Sequence, residues 1–357
     1  MTNRRQFLKD TAATAGVLFT GCSLLPNPLR AQPVAAKKRR QVMVGGKRVR
    51  TIDVHAHVII PEAANLMGGK IAAGNTSVFE GDQAAERVAT MDEWGTDMQV
   101  LSINPNWYSV ERDLVAQGIK LQNEKLAELC AKHPDRFAAF ASVALQYPDL
   151  AAEQLEEGMK KYNLRGAAIG GHVNGDELSN PKFDPFWKKA EELGCVVFMH
   201  PQGIPELNKR LAGGGGLNNV IGNPLETTIF LSHLIFDGTL DRFPGLKICA
   251  AHAGGYLPSY AARSDYGCNR FPENCKGAKR PASEYLRQLY FDSMVFTPEG
   301  LRHLVAECGV SQIMIGTDYP FPWSTTTVDH VLKTPGLTDN DKRAILGETA
   351  ARLLHIA

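Results

Sequence analysis

The stretch "TIDVHAHV", residues 51–58, is an apolar run that carries three ionisable side chains. In a β-strand successive side chains alternate between the two faces, so residues two apart point the same way. We therefore expect Asp53, His55 and His57 to share one face, directed inward. The opposite face is expected to pack outward under helices and is formed by Ile52, Val54, Ala56 and Val58. This stretch predicts a buried strand that ends in a functional site.

Seven similar apolar runs follow, and amphipathic segments with helical periodicity separate them. They are "DMQVLSI" (97–103), "RFAAFASVAL" (136–145), "LRGAAIGG" (164–171), "CVVFMH" (195–200), "LKICAAH" (246–252), "LYFDSMV" (289–295) and "QIMIGTD" (312–318). Strands that alternate with helices are typical of a parallel sheet. Eight such units predict an α/β fold, a TIM (β/α)8 barrel, formed by one domain over residues 51–357.

The N-terminus is predicted to be a targeting segment. "NRRQFLKD" places Arg4 and Arg5 ahead of a short apolar stretch, a pattern that resembles a bacterial twin-arginine export signal. We assign residues 1–36 to the signal and leader and residues 37–50 to a basic linker. The export machinery is then a partner and the periplasm or the exterior the expected location. Cys22 in "FTGC" is a candidate for lipidation, with cleavage near "RAQPVAA" as the alternative.

The charge balance argues against nucleic acid as a partner. Residues 1–50 contain 11 of the 39 basic side chains but only 1 of the 38 acidic ones, which leaves the body with 28 basic and 37 acidic side chains. A body with a formal charge of −9 is a poor match for a phosphate backbone. Among the 7 cysteines, Cys268 and Cys275 share a loop, and the sequence leaves open whether they pair.

Five ionisable residues stand at the carboxyl ends of predicted strands. His55 and His57 end the first strand, His200 the fifth, His252 the sixth and Asp318 the eighth. Enzymes built on this fold place their chemistry at that end of the sheet. Taken by themselves, His55 and His57 could be two core histidines that are only hydrogen-bonded. With His200 and Asp318 at matching depth, the set predicts a divalent metal ion, Zn²⁺ or alternatively Mn²⁺.

His252 is predicted to act as the acid or base beside the metal. It lies in "CAAHAGGYLP", where glycines permit close backbone approach, and imidazole exchanges protons near neutral pH. The alternative is that His252 is a fifth ligand or an oriented neighbour. Asp318 is expected both to bind the metal and to carry a proton.

The motifs "TIDVHAHV", "VVFMHP", "ICAAHAGG" and "IGTDYPFP" together resemble the amidohydrolase superfamily over residues 51–356. Within it they are most similar to the branch of aminocarboxymuconate-semialdehyde decarboxylase and the aromatic-acid decarboxylases. The resemblance implies His252 as catalytic acid or base, a homodimer, and Arg263 as a substrate-carboxylate ligand that a neighbouring subunit can supply. The metal ligands it implies are His55, His57, His200 and Asp318.

Two departures refine that resemblance. Binuclear relatives carry a lysine at the end of the fourth strand, where "LRGAAIGGH" has none, so a single metal ion is expected. The muconate-semialdehyde enzyme has a further arginine after the first strand, and here only Arg87 lies in that region, at a helix position. This weakens the case for a muconate substrate specifically.

The sequence thus predicts a metal-dependent, non-oxidative decarboxylase of an aromatic or unsaturated carboxylic acid. The alternative is a hydrolase or hydratase in which His252 activates metal-bound water to attack a lactone, ester or amide. Trp107 and His172 lie just past strand ends and are predicted substrate contacts. Other aromatic residues near strand ends are candidates for the wall of a flat substrate site: Tyr108, Phe198, Tyr319, Phe321 and Trp323.

Overall fold

The computed structural model describes residues 39–69, 82–321, 323 and 326–357. Thirteen strands lie within these residues. They are β1 (Met43–Val44), β2 (Lys47–Arg48), β3 (Ile52–His57), β4 (Met98–Ser102), β5 (Phe137–Ala139), β6 (Ala141–Ser142), β7 (Gly166–Ile169), β8 (His172–Val173), β9 (Asp176–Glu177), β10 (Val196–Met199), β11 (Lys247–Ala250), β12 (Tyr290–Asp292) and β13 (Ile313–Met314). All eight predicted strand segments contain one or two of them.

Helices separate the strands as the periodicity predicts. The α-helices are α1 (Pro61–Leu66), α2 (Asp82–Trp94), α3 (Arg112–Lys132), α4 (Pro148–Lys160), α5 (Asp184–Leu193), α6 (Asn223–Phe236), α7 (Thr239–Arg242), α8 (Leu257–Arg270), α9 (Ala282–Tyr285), α10 (Pro298–Cys308), α11 (Thr327–Lys333), α12 (Asp339–Arg343) and α13 (Thr349–Leu353). Many begin with the expected signals, such as Pro298 in the first turn of α10 after the Thr297 cap. Among the described residues, none of the helices combines the length and apolar character needed to cross a bilayer.

The central strands are all parallel and form two sheets. One has the order β13-β12-β11-β10-β7-β6 and the other the order β3-β4-β5. The strands β5 and β6 are separated by Phe140 alone, so one extended segment borders both sheets. Isolated parallel bridges, Asp53 with Ile315 and Ala56 with Tyr319, join β3 to the chain that follows β13. The α/β architecture with a parallel sheet agrees with the sequence prediction.

The sequence prediction of which side chains of β3 face inward is wrong for the first half of the strand. Ile52 and Val54 pack with Phe140 and Phe198 on the inner face of the sheet, whereas Ala56 belongs to the larger cluster under the helices. The cause is a register shift between Asp53 and Ala56 where β3 pairs with β4. A β-bulge of this kind reverses the alternation, so Val54 and His55 both face inward.

The residues from 39 onward of the predicted basic linker are part of the packed body. The strands β1 and β2 form an antiparallel hairpin, and Val42, Val44 and Val49 are buried. Arg39 pairs with Asp97 at 2.8 Å. Apolar side chains every few residues anchor this segment despite its positive charge. The predicted signal, including Arg4, Arg5 and Cys22, lies outside the described residues.

A disulfide joins Cys268, near the end of α8, to Cys275 in the following 3₁₀ turn. Sequence alone left this pairing open. The four other described cysteines are free and lie in buried or partly buried positions: Cys130, Cys195, Cys249 and Cys308.

Candidate metal and catalytic site

The five predicted residues meet at the carboxyl ends of the strands. The Asp318 carboxylate is central: its Oδ1 lies 2.8 Å from His57 Nε2, 3.1 Å from His55 Nε2 and 3.8 Å from His200 Nε2. Its Oδ2 lies 3.7 Å from His252 Nε2. The structure therefore brings together every residue that the sequence assigned to metal binding or proton transfer.

The donor atoms are arranged as ligands rather than as hydrogen-bond partners. The Nε2 atoms of His55 and His57 are only 3.0 Å apart. Both ring nitrogens of His200 are buried without a hydrogen-bond partner, although buried polar groups normally have one. One ligand atom each from His55, His200, His252 and Asp318 lies within 4.8 Å of all the others. Three or four imidazoles and one carboxylate around a common point fit a divalent cation.

The electrostatics of His57 and His200 agree with this donor set, whereas His55 differs. Burial lowers the pKa of His55, but the Asp318 and Asp292 carboxylates outweigh burial and raise this pKa to about 10, so His55 carries a proton in the metal-free site. Burial lowers the pKa of His57 to about 4 and that of His200 to about 3, so both imidazoles are neutral, the form that binds metal ions. Burial raises the pKa of the Asp318 carboxyl, but the charge of His55 and the contacts with the other imidazoles of the cluster together outweigh burial and hold this pKa well below its usual range. Asp318 is therefore an ionised carboxylate. Its backbone φ of 60° lies in the left-handed region, which is uncommon outside glycine.

Asp292, at the end of β12, is a site residue that sequence reasoning missed. It is fully buried, and its Oδ2 lies 2.7 Å from His55 Nδ1. It also accepts the backbone N–H groups of His252 at 2.8 Å, Ala253 at 2.8 Å and Met294 at 3.1 Å. A carboxylate at Nδ1 fixes the tautomer in which Nε2 faces the cluster. The signal was present, because "LYFDSMV" ends a buried strand on a carboxylate just as "QIMIGTD" does.

Asp292 also holds His252 in an unusual backbone conformation. His252 has φ of 53° and Ala253 has φ of 55°, both in the left-handed region. The two N–H groups that Asp292 binds belong to these residues. One carboxylate thus positions His55 through its side chain and His252 through its backbone.

Asp53 lies behind the cluster and outside it. Its Oδ2 accepts hydrogen bonds from Thr317 Oγ1 at 2.6 Å and Gln99 Nε2 at 3.0 Å. Burial raises the pKa of Asp53 to about 6. Arg87 of α2 donates to Gln99 Oε1 at 2.8 Å and to the His57 carbonyl at 2.9 Å, so it fastens the end of β3. This agrees with the reading of Arg87 as a helix position.

Glu226 of α6 is a further buried carboxylate beside the site. It accepts the backbone N–H groups of Gly171 at 3.2 Å and Gln202 at 2.7 Å, and that of Gly203 as well. Glu226 therefore ties the loop after β7 to the loop after β10, which begins at His200. Burial raises the pKa of Glu226 to about 7.

A polar cavity of about 250 Å³ opens onto the cluster. His200 and Asp318 line it, together with amide side chains and one aromatic ring: Asn104, Asn106, Gln202, Asn219, Asn223 and Phe321. The Oδ1 atom of Asn104 is buried and has no hydrogen-bond partner. The amide groups are well suited to bind hydroxyl and carboxylate oxygens.

The three predicted substrate contacts lie away from this cavity. Trp107 is buried and donates its Nε1–H to the Val143 carbonyl at 3.0 Å. His172 lies by a separate small cavity, with Nε2 4.0 Å from Glu226. Arg263 is exposed on α8 beside Tyr260. Within the described residues of one chain, none of the three lines the cavity that contains His200 and Asp318.

The fold and the site define a parallel α/β protein whose candidate metal ligands gather at the carboxyl ends of the strands. The amidohydrolase family model matches residues 52–356, and the chain belongs to that family. It is 30% identical over 274 residues to the 2-amino-3-carboxymuconate-6-semialdehyde decarboxylase of Dictyostelium discoideum, covering 75% of each chain.

Two solved structures extend the comparison. The 5-carboxyvanillate decarboxylase of Sphingomonas paucimobilis is 25% identical with a TM-score of 0.78, over 87% of this chain and 100% of that one. A dihydroxybenzoic acid decarboxylase of Polaromonas sp., with bound manganese and the inhibitor 2-nitroresorcinol, is 25% identical with a TM-score of 0.76, over 86% and 97% of the two chains. The relatives of this chain thus include named decarboxylases.

Proposed function

We propose that this protein is a metal-dependent, non-oxidative decarboxylase of aromatic carboxylic acids. The observation that carries the proposal is the position of His252, with its Nε2 3.7 Å from Asp318, at the edge of a cluster of imidazoles with unpartnered nitrogens. A site that only holds a metal has no need of a further inward imidazole. The decarboxylases among its relatives support the same reaction class.

The side chains divide into ligands and a proton carrier. His55, His57, His200 and Asp318 would hold one divalent cation. When bound, the cation supplies positive charge that binds an acidic oxygen of the substrate and stabilises the negative charge that develops. Zn²⁺ is the ion proposed from the donor set, and the manganese in the Polaromonas structure makes Mn²⁺ the alternative.

The reaction needs one proton delivered to the ring carbon that bears the carboxylate. His252 Nε2, with Asp318 beside it, is the proposed donor. Protonation makes that carbon tetrahedral. The bond from this carbon to the carboxylate then breaks, CO₂ leaves, and the electron pair of the broken bond restores the aromatic ring. The amide groups of Asn104 and Asn219 would orient the substrate's hydroxyl groups in the polar cavity.

Three finer features belong to the same proposal. We infer that the two sheets form one closed (β/α)8 barrel through the segment β5–β6 and the bridges from β3 to Ile315 and Tyr319. We also infer a homodimer in which Arg263 serves the partner's site, since Arg263 is exposed on α8. Trp107 and His172 remain proposed as substrate contacts, as the sequence predicts.

Export by the twin-arginine machinery is proposed from residues 1–36. The disulfide between Cys268 and Cys275 supports an oxidising location, where such bonds persist. Fractionation of cells that express the full chain tests this, with Arg4→Lys plus Arg5→Lys as the variant expected to remain in the cytoplasm. Mass spectrometry of the mature N-terminus decides between processing at Cys22 and cleavage further along.

The proposed activity is tested by incubating protein loaded with Zn²⁺ or Mn²⁺ with a panel of hydroxybenzoates and measuring CO₂. We expect CO₂ release that His252→Asn lowers by a factor of about 10²–10⁴ at unchanged metal content. Water labelled with ¹⁸O distinguishes the hydrolase alternative, which would place the label in the product without CO₂. If no acid in the panel releases CO₂ from metal-loaded protein, the proposal is refuted.

A further inference from the structure

A second, larger cavity of about 660 Å³ adjoins the proposed catalytic site. Its lining includes His252, Met294, Leu304, Val220, Phe296 and Trp323. Within the described part of the chain, no Asp, Glu, Lys or Arg contributes to this wall. The polar cavity, by contrast, contains the Asp318 carboxylate and several amides. Two chambers of opposite character therefore meet at one site.

The two chambers are joined by the residues that would perform the reaction. His252 lines the apolar chamber and Asp318 the polar one, and their side chains are 3.7 Å apart. Asn219 lines both chambers. A molecule that reacts between His252 and Asp318 therefore has space on both sides of its reacting carbon.

The volumes of the two cavities indicate the size of the molecule that would occupy them. A cavity of 250 Å³ is small among ligand sites, and a monocyclic hydroxybenzoate already fills much of a site of this size. Such an acid would leave the chamber of 660 Å³ to water. Water against an apolar wall is unfavourable, and an apolar group that displaces it gains binding free energy in proportion to the area buried.

We propose that the apolar chamber binds a hydrophobic substituent of the substrate, and that the substrate is a hydroxybenzoate with an alkyl chain next to its carboxylate. This rests on the proposed decarboxylase function and names its substrate class. The position of the alkyl chain on the ring follows from the proton transfer. The ring carbon that receives the proton lies near His252, so a substituent on the adjacent carbon enters the chamber that His252 lines. The hydroxyl groups remain in the polar chamber.

The test uses 2,4-dihydroxybenzoates that carry hydrogen, methyl, propyl or pentyl at carbon 6, with metal-loaded full-length protein. Each buried methylene contributes about fourfold to binding, so we expect kcat/KM for the pentyl acid to exceed that for the methyl acid at least tenfold. Equal kcat/KM values across the series would overturn the proposal.

Two neighbouring surface residues provide a matched pair of variants. Val220 is 42% exposed and lines the chamber, whereas Ile221 is 40% exposed and does not. Val220→Trp is expected to obstruct the chamber and reduce the pentyl-to-methyl ratio of kcat/KM below threefold, while Ile221→Trp keeps the wild-type ratio. An unchanged ratio in Val220→Trp contradicts the assignment. The assignment is also contradicted if a second copy of the chain covers the chamber. That outcome would be a dimer that Val220→Trp dissociates, together with kcat/KM values that do not depend on the length of the alkyl chain.

A binding measurement separates this inference from the proposed function. Calorimetry compares 5-pentylresorcinol with 5-methylresorcinol, the products that the corresponding acids would yield. Tighter binding of the pentyl compound, lost in Val220→Trp, supports the chamber even if no acid releases CO₂. Equal binding of the two resorcinols refutes it even if the unsubstituted acid is decarboxylated.

Discussion

His55 and His200 approach the same carboxylate, but the protein supports the two rings in different ways. His55 is held at both nitrogens, with Nδ1 2.7 Å from Asp292 and Nε2 3.1 Å from Asp318. Behind it, Asp53 and Arg87 hold the end of β3 through further hydrogen bonds. This half of the site is assembled by the protein's own polar groups.

The His200 half depends on the backbone instead. Neither ring nitrogen of His200 has a hydrogen-bond partner. Its position comes from the end of β10 and from Glu226, which holds the N–H groups of Gln202 and Gly203. The difference suggests a division of labour, in which one half is preorganised and the other acquires its last interaction from a cation. A site built in this way can remain folded without metal and still bind it with little rearrangement.

Removing the Asp292 carboxylate should have the largest effect on the free energy of unfolding. Asp292→Ala leaves three backbone N–H groups and the His55 ring without their acceptor in a fully buried place. We expect the free energy of unfolding of the metal-free protein to fall by about 3–5 kcal/mol and metal affinity by about 10–100-fold. Urea unfolding and metal titration measure these changes.

The controls for Asp292 are a conservative variant and a surface carboxylate. Asp292→Asn keeps an acceptor oxygen, so a smaller loss of stability is expected. Asp135, whose side chain is 72% exposed, should tolerate replacement by Ala with little change. A loss below about 1 kcal/mol in Asp292→Ala would show that the preorganised half does not rest on this carboxylate.

Replacing His55 or His200 should change the free energy of unfolding less than replacing Asp292, but it compares the two halves of the site directly. His55→Ala and His200→Ala should both abolish tight metal binding. In the metal-free protein, however, His55→Ala should lower the free energy of unfolding by about 2 kcal/mol more, because it leaves Asp292 without its side-chain partner. Thermal unfolding with and without added metal measures both effects, since a bound ion stabilises only the protein that binds it. Equal losses in the two metal-free variants would contradict the comparison.

Glu226 should produce the smallest effect, one that depends on pH. Burial raises its pKa from 4.5 to about 7, so its carboxyl is neutral in the folded protein at pH 5 and must ionise as the pH rises. Because the folded protein holds this proton more tightly than the unfolded chain does, the contribution of Glu226 to the free energy of unfolding is fully present below pH 4.5 and is lost as the pH rises through 7. Relative to Glu226→Gln, wild type should therefore lose about 1–3 kcal/mol between pH 5 and pH 8.

Chemical unfolding at several pH values measures the Glu226 effect. Glu206→Gln is the matched control. Glu206 and Glu226 both line the small cavity beside His172, but Glu206 is exposed. A stability difference between wild type and Glu226→Gln that does not vary with pH would mean that Glu226 remains ionised throughout.

Much of this architecture could be predicted from local pattern. Alternation of apolar runs with helical segments located all eight strand segments. Ionisable residues at strand ends identified His55, His57, His200, His252 and Asp318, which the structure brings together. Asp292 also ends a buried strand, but the sequence prediction did not include it in the site, although its carboxylate supports both His55 and His252.

The sequence by itself determined the order of strands and helices and located five ionisable residues at or just after strand ends, because side-chain alternation and helix periodicity are local properties. Only the tertiary structure decided that Asp53 turns away from the cluster, since one register shift between β3 and β4 reverses the alternation. The role of Glu226 and the apolar chamber beside His252 were likewise decided by packing. They depend on distances between segments far apart in the chain, which no local pattern encodes.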